Sequence, residues 1–267
     1  MSESGNIISK LDSGVPHSAR LWNYWLGGKD NFAVDRAVAD QILEMVPEMV
    51  ESARADRAYL GRVIRYLAGE AGIRQFLDVG TGIPTANNTH EVAQAVAPSS
   101  RVVYVDNDPL VLAHARALLT SNPEGRTDYL DADLRHPEVI VEGARSTLDF
   151  DQPIALTMLG VLNFVPDDDE AADLVAQLVD ALPTGSYLAI SHPTTEINGE
   201  TMIEALRLWN EGPAAKMVLR SAEQVRRLFG DLDLVQPGVV SCSRWRPDTG
   251  DENARPVPHF GGVARKA

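Results

Sequence analysis

Cysteine is nearly missing from this chain: Cys242 stands alone among 267 residues. One thiol excludes an internal disulfide and any cysteine-built metal cluster. Basic residues are also scarce, with 24 Lys and Arg against 38 Asp and Glu and a formal charge of -14. No basic block offsets the acids, which disfavours a nucleic-acid backbone as the main partner. Long hydrophobic runs are lacking too. Stretches such as Pro153 to Val165 are too short and too interrupted to cross a bilayer. The opening MSESGNIISKLDSG has no apolar stretch of the signal-peptide kind, and the chain reads as cytoplasmic. No Gly-Lys-Ser/Thr follows a glycine turn, no serine elbow is present, and no His/Asp/Glu cluster has metal-ligand spacing. Walker-type phosphate binding, acyl transfer and metal-assisted chemistry therefore lack support.

What is present is 44% apolar content over a length ample for one sizeable α/β core. After a polar start, SARLWNYWLGGKDNFAVDR concentrates the aromatics Trp22, Tyr24 and Trp25 and a Gly-Gly turn in a short space. Apolar residues recur at helical spacing over Ala33 to Val46 and Glu48 to Gly69, with Pro47 between the two segments. Residues 1–70 read as an N-terminal helical extension or lid, and 71–267 as the ligand-binding domain. From Gln75 the pattern alternates. Strands are expected at Gln75 to Val79, Val102 to Asp106, Asp128 to Leu130, Ile154 to Leu159 and Ser186 to Ser191, with helices from about Ala86 and over Leu110 to Leu119. Repeated βα units imply a parallel sheet with helices on both faces. Late in the chain LDLVQPGVV and HFGGVARK are strand-like with no helix between them, so they should pair antiparallel.

The unit that carries function is FLDVGTGIP, Phe76 to Pro84, followed at a strand's distance by RVVYVDNDP, Arg101 to Pro109. It reads as strand, glycine turn, helix and a second strand ending in acid. Such a unit places a nucleoside-bearing ligand at the carboxyl ends of parallel strands, where backbone amides are free and a carboxylate can grip ribose hydroxyls. Gly80 and Gly82 allow close backbone approach without a Cβ clash. Thr85 occupies the third position of a dinucleotide GxGxxG, which weakens NAD or FAD binding, and Pro84 removes an amide donor from the turn. An antiparallel ending on a mostly parallel sheet is the signature of the class I S-adenosylmethionine methyltransferases. Asp78 sits where it serves the ligand's ammonium or caps the loop. Asp106 is selected over Asp108 by its place at the strand end, since Asp108 precedes Pro109 and suits a helix cap. Asp133 and Asp131 compete for a similar place after the third strand.

Four separated segments carry a closer likeness: ARLWNYWLGGKDNFAVDR, DVGTGIPTANNTHEVAQ, FGDLDLVQPGVVSCSRWRPD and the terminal GGVARK. Over nearly its whole length the chain resembles a bacterial S-adenosyl methyltransferase family first catalogued as a domain of unknown function. The resemblance implies a Rossmann-like sheet of seven strands, mostly parallel with the last antiparallel, and S-adenosylmethionine as cofactor. It places Asp106 on the ribose, with Asn107 beside it, and Asp133 near the adenine amino group, with Leu134 beside it. Asp78, Gly80 and Gly82 form the first motif. Leu159, Gly160 and Asn163, in the MLGVLNFVPDD segment, fall below the methyl group, whereas Leu162 and Phe164 suit the core. Tyr24, Gly28 and Asn31 join the cofactor set as part of an aromatic lid with Trp22 and Trp25.

Methyl transfer from a sulfonium needs alignment, desolvation and an outlet for the acceptor's proton. His192, just beyond the fifth strand, is the candidate proton acceptor, and Asn163 the candidate orienting residue. The acceptor pocket is expected between the N-terminal helices and Pro193 to Arg220, although a stripe such as Met202, Leu206 and Trp209 reads first as core. The expected activity is methylation of oxygen or nitrogen on a small-molecule metabolite. The alternative is a protein that binds S-adenosylmethionine or S-adenosylhomocysteine without transferring the methyl group.

Overall fold

The computed structural model describes residues 14–118, 121–250 and 253–267. The polar opening segment 1–13 and Leu119, the expected end of the second βα helix, lie outside the described residues. Three helices precede the sheet: α1 (Ser18–Trp25), α2 (Ala33–Met45) and α3 (Met49–Gly69). The alternating part then runs β1 (Gln75–Val79), α4 (Thr89–Val96), β2 (Arg101–Asp106), α5 (Pro109–Leu118), β3 (Arg126–Asp131), α6 (Pro137–Ala144), β4 (Ala155–Leu159), α7 (Asp168–Asp180) and β5 (Tyr187–Pro193). It closes with α8 (Gly199–Glu211), α9 (Ala222–Arg227), β6 (Asp233–Leu234), β7 (Val240–Ser241) and β8 (His259–Arg265).

The strands order as β3-β2-β1-β4-β5-β8-β6, with β7 also on β8. The first five pair in parallel, and β8 pairs antiparallel with β5 and with β6. The expected sheet is therefore present, with one local difference. LDLVQPGVV, expected as one strand, forms two short segments because Pro237 has no N–H to give a ladder and Gly238 turns the chain, donating to Val235 O at 2.9 Å. A second difference lies after the glycine turn, where the helix starts at Thr89 rather than near Ala86. Asn87 has φ 61°, which a right-handed helix forbids, and Thr85 N donates instead to Asn88 Oδ1 at 3.1 Å.

Both sheet faces are covered, so the central strands read as near-continuous apolar runs. One face packs Leu77, Val103 and Leu156 against α6, α7 and α9; the other packs Phe76, Val102 and Ala155 against α3 through Tyr59, Val63 and Leu67. A third cluster joins α1, α2 and α8 through Leu21, Trp25, Ile42, Met202 and Trp209. It sits over the carboxyl ends of the parallel strands.

Tyr59 connects α3 to the antiparallel edge. Its hydroxyl donates to Gly262 O at 2.7 Å and approaches Ile190 O at 3.2 Å, and its ring lies where a Cβ on Gly261 would stand, 2.6 Å from Cζ. Tyr59→Phe should cost about 1–2 kcal/mol in denaturant unfolding, because buried carbonyls lose their donor. Gly261→Ala should cost more than Tyr59→Phe, since a fully buried ring has no room to retreat.

Candidate functional site

The strand order reverses between β1 and β4, and a cleft opens there at the carboxyl ends of the strands. Its volume of about 580 Å³ falls inside the range of about 300–1,000 Å³ common for small-molecule sites. The floor is the turn after β1. Gly80 and Gly82 take φ of 77° and 67°, the left-handed region that glycine enters without strain. A Cβ on Gly80 would meet Val161 at 2.5 Å, whereas one on Gly82 would meet nothing within 4 Å. The chain is thus tightly packed at the first glycine and open to the cleft at the second.

Two carboxylates fix this floor. Asp78 accepts from Thr89 Oγ1 at 2.6 Å and from Thr157 Oγ1 at 2.8 Å, tying the start of α4 and strand β4 to β1. Burial raises its pKa above the usual carboxylate value, against the pull of those hydroxyls and Arg57. Asp106 accepts from Gly82 N and Asp108 N, each at 2.9 Å. Burial raises its pKa as well, opposed by the two amides. A carboxylate has about four lone-pair sites, so two acceptor positions on Asp106 remain after these bonds. Asp108 accepts from Leu110 N at 2.8 Å, the helix-capping place its sequence position suggested, and its other oxygen lies 3.1 Å from His17 Nδ1.

The third-strand acid is Asp133, which lines the cleft while Asp131 ends β3 in solvent. Its Oδ2 accepts from Asn107 Nδ2 at 3.2 Å and its Oδ1 from Arg135 N at 2.9 Å. Leu134, Leu159 and Gly160 complete this side of the wall. Of the expected lid residues, Tyr24, Gly28 and Asn31 do not line the cleft. The Tyr24 hydroxyl donates to Asp40 at 2.9 Å, and Asn31 donates to Asn23 Oδ1 at 2.9 Å and Gly28 O at 3.1 Å, so these groups shape the turn after α1. One helical turn places Ser18 and Trp22 on the cleft side instead.

His192 is fully buried and lines neither the cleft nor the cavity beside it. Arginine only donates, so the 2.9 Å contact with Arg220 engages the lone pair of Nε2 and leaves Nδ1–H donating to Pro193 O at 2.9 Å. Burial, with the Arg220 charge adding to it, pulls its pKa down to about 3. The ring is a neutral strut for Arg220, which also binds Leu162 O, Val165 O and Asp168. That arrangement offers no base to a substrate. Asn163 is buried with Oδ1 unpartnered and lines a second, apolar cavity next to the cleft. Leu162 is core as expected, and Phe164 packs against the third cluster while also lining both cavities.

Sequence motifs did not mark α3, yet it supplies Asp56 and Arg57 to the cleft. Arg57 donates through Nε and Nη2 to Ala86 O and Asn88 Oδ1, at 2.9–3.2 Å, using three of its five N–H groups. Burial lowers its pKa, countered by Asp78 nearby.

A parallel sheet with an antiparallel last strand, a glycine turn at the switch point and an acid ending β2 define a class I S-adenosylmethionine-dependent methyltransferase. The profile of the S-adenosyl methyltransferase family matches residues 4–267, and the chain belongs to that family. It is similar to a DUF574 family protein of Streptomyces avermitilis, at 42% identity over 96% of this chain and 99% of that one, with a TM-score of 0.92. A candidate methyltransferase of Thermobifida fusca is 41% identical over 94% and 95% of the two chains, with a TM-score of 0.86. The fold is shared with the N-methyltransferase NodS of Bradyrhizobium japonicum in complex with S-adenosylhomocysteine, at 14% identity over 80% and 87%, with a TM-score of 0.50. Comparison with curated proteins finds no match. The protein is an S-adenosylmethionine-dependent methyltransferase, and its residues fit that cofactor: open space above Gly82 and spare acceptor sites on Asp106 suit a nucleoside with hydroxyl donors.

Two substitutions separate floor from strut. Gly80→Ala should abolish cofactor binding and destabilise the fold together, read by calorimetry and thermal unfolding, because it forces both a disfavoured φ and a clash with Val161. His192→Ala should lower stability by about 1–3 kcal/mol through the unpaired Arg220 donor, while leaving cofactor affinity unchanged.

Proposed function

We propose that the protein methylates an oxygen or nitrogen atom of a small-molecule metabolite. The observation that carries this reading is the placement of the second cavity. It adjoins the cofactor cleft and shares Ser18, Trp22, Gly160, Phe164 and Trp209 with it. An apolar recess suits a compact acceptor, and the net charge of -14 disfavours a nucleic-acid polymer. No helix among the described residues is long and apolar enough to cross a membrane.

In this reading Asp106 accepts the ribose hydroxyls with its two spare lone-pair sites. Asp133, held by Asn107, accepts from the adenine amino group, with Leu134 packed beside it. Arg57 turns its remaining N–H donors to the carboxylate of the methionyl part, and Gly80 and Gly82 keep the floor free of side chains. Bound S-adenosylmethionine supplies an activated methyl group on a sulfonium. The chain's own part is to align the acceptor and exclude water, which α1 does by laying Trp22 across the junction of the two cavities. α1 and α2 serve here as the cover of the site, whereas α3 packs on the sheet and supplies Asp56 and Arg57 to it.

Calorimetry with S-adenosylmethionine tests the binding half. Asp106→Ala should weaken affinity by about 1–3 kcal/mol, through loss of charge-assisted hydrogen bonds. Because burial raises the Asp106 carboxyl, wild-type affinity should begin to fall on acidification at a higher pH than a surface aspartate would set. Asp106→Asn should bind weakly and lack that acid limb. Arg57→Ala should weaken S-adenosylmethionine yet leave methylthioadenosine, which has no carboxylate, unaffected. Equal losses for both ligands would remove Arg57 from the carboxylate. An acceptor screen following S-adenosylhomocysteine release tests the transfer half, and tight binding without release from any small molecule would favour the non-transferring alternative.

A further inference from the structure

The second cavity has a chemical character more specific than its position. Its volume is about 70 Å³, and Trp22, Trp25, Phe164 and Trp209 provide aromatic walls. Among the described residues no Asp, Glu, Lys or Arg lines it. A charged acceptor would therefore lose its hydration with no ion to replace it. Three lining residues carry buried polar atoms without a hydrogen-bond partner: Trp25 Nε1, Asn163 Oδ1 and His259 Nε2. Each such atom costs about 1–3 kcal/mol when left unsatisfied. Three of them around one apolar recess indicate a ligand that is mostly hydrocarbon with a few hydrogen-bonding points.

His259 is the chemically active member of the three. It opens β8, which runs antiparallel, so its side of the sheet is the cofactor end; it pairs with Pro193 at the carboxyl end of β5. Its ring packs edge-on against Trp22, with centroids 5.7 Å apart. Nε2 lies 3.7 Å from Asp56 Oδ1, and Asp56 lines the cofactor cleft. The other titratable groups around it are His192 on β5, kept neutral, and the buried Cys242 thiol, which points to Asp56 at 3.7 Å. Burial lowers the His259 pKa, opposed by Asp56, which keeps the resting imidazole neutral and its lone pair available at neutral pH.

We propose that this cavity holds the methyl acceptor, that the acceptor is an uncharged aromatic molecule bearing a hydroxyl group, and that His259, backed by Asp56, takes the hydroxyl proton. The proposal rests on the methyltransferase reading of the adjoining cleft and names its substrate class. The acceptor oxygen attacks the sulfonium methyl carbon, and an O–C bond forms. The C–S bond breaks with its electron pair left on sulfur as a thioether. The hydroxyl proton passes to Nδ1, the ring nitrogen turned away from Asp56, and the resulting imidazolium keeps Nε2–H towards the Asp56 carboxylate until solvent removes the proton on product release. Asn163 Oδ1 and Trp25 Nε1 orient the ring's remaining polar substituents. A benzene-sized guest needs about 150 Å³, so the recess must widen on binding. Met49, Met202 and Met217 in its wall are the flexible side chains able to repack.

The test uses the full chain loaded with S-adenosylhomocysteine and three probes: para-cresol, benzoate and benzylamine. Calorimetry should show para-cresol binding and neither ion binding. Ala205→Leu, which fills the cavity wall away from the cofactor cleft, should weaken para-cresol at least tenfold and leave S-adenosylhomocysteine unchanged. With S-adenosylmethionine, His259→Gln should retain para-cresol binding, lower kcat at least tenfold and lose the acid limb of the pH–rate profile. Asp56→Asn should reproduce the kcat loss in a second background. Failure of para-cresol to bind the loaded protein, preference for either ion, or an unchanged pH profile in His259→Gln would overturn the proposal. Failure of S-adenosylhomocysteine itself to bind would instead overturn the cofactor reading beneath it.

Discussion

A buried carboxylate with no ion-pair contact among the described residues organises this molecule. Asp78 stands at the point where the strand order reverses, and its two oxygens bind the hydroxyls of Thr89 and Thr157. Those bonds join three elements that sequence separates: the end of β1, the beginning of α4 and the middle of β4. Removing a carboxylate from water is expensive, as its raised pKa reports, and the two short hydroxyl bonds offset part of that cost. What is gained is a fixed exit for the chain after β1. From that exit Gly80 can pass beneath Val161, Gly82 can face open space, and its amide can reach Asp106.

The cofactor end of the sheet follows from this constraint. Asp106 is aimed by Gly82 and Asp108, Asp133 is held by Asn107, and Arg57 leans in from α3 over Asn88. Each of these polar groups is positioned by backbone amides or short side chains on rigid elements, which suits a site that must align reactants more than polarise them. The apolar counterpart is the cluster of α1, α2 and α8 above it. A sulfonium methyl is transferred best where water is excluded, and in the proposed function the tryptophans of that cluster provide the exclusion.

The fold was legible because its signals are local and periodic. Glycine turn, strand spacing and terminal acid mark β1 and β2 in two short segments, and two helix-free strand runs announce the antiparallel edge. The boundaries that moved did so for definable reasons: Asn87 in the left-handed region delays α4, and Pro237 with Gly238 breaks the edge strand. The site was legible only on the strands. Arg57 and Asp56 reach the cleft from a regular amphipathic helix, where nothing in the spacing distinguishes a charged residue facing a ligand from one facing solvent. Tyr24 and Trp22 are two residues apart on α1, and only the packed helix decides which meets the cleft. The histidines show the same limit. A histidine near the end of a parallel strand attracts attention at His192, but an antiparallel strand delivers its first residue to that same end, which is His259. Met202, Leu206 and Trp209 read as core by their stripe and nonetheless form a cavity wall, because a wall and a core demand the same apolar residues.

The most direct measurement is a crystal structure of the protein with S-adenosylhomocysteine. The ribose hydroxyls should lie within hydrogen-bonding distance of Asp106, the adenine beside Asp133, and the sulfur at Gly160 facing the tryptophan-lined cavity. A ligand bound elsewhere, or one whose ribose leaves Asp106 bonded only to Gly82 and Asp108, would contradict this arrangement.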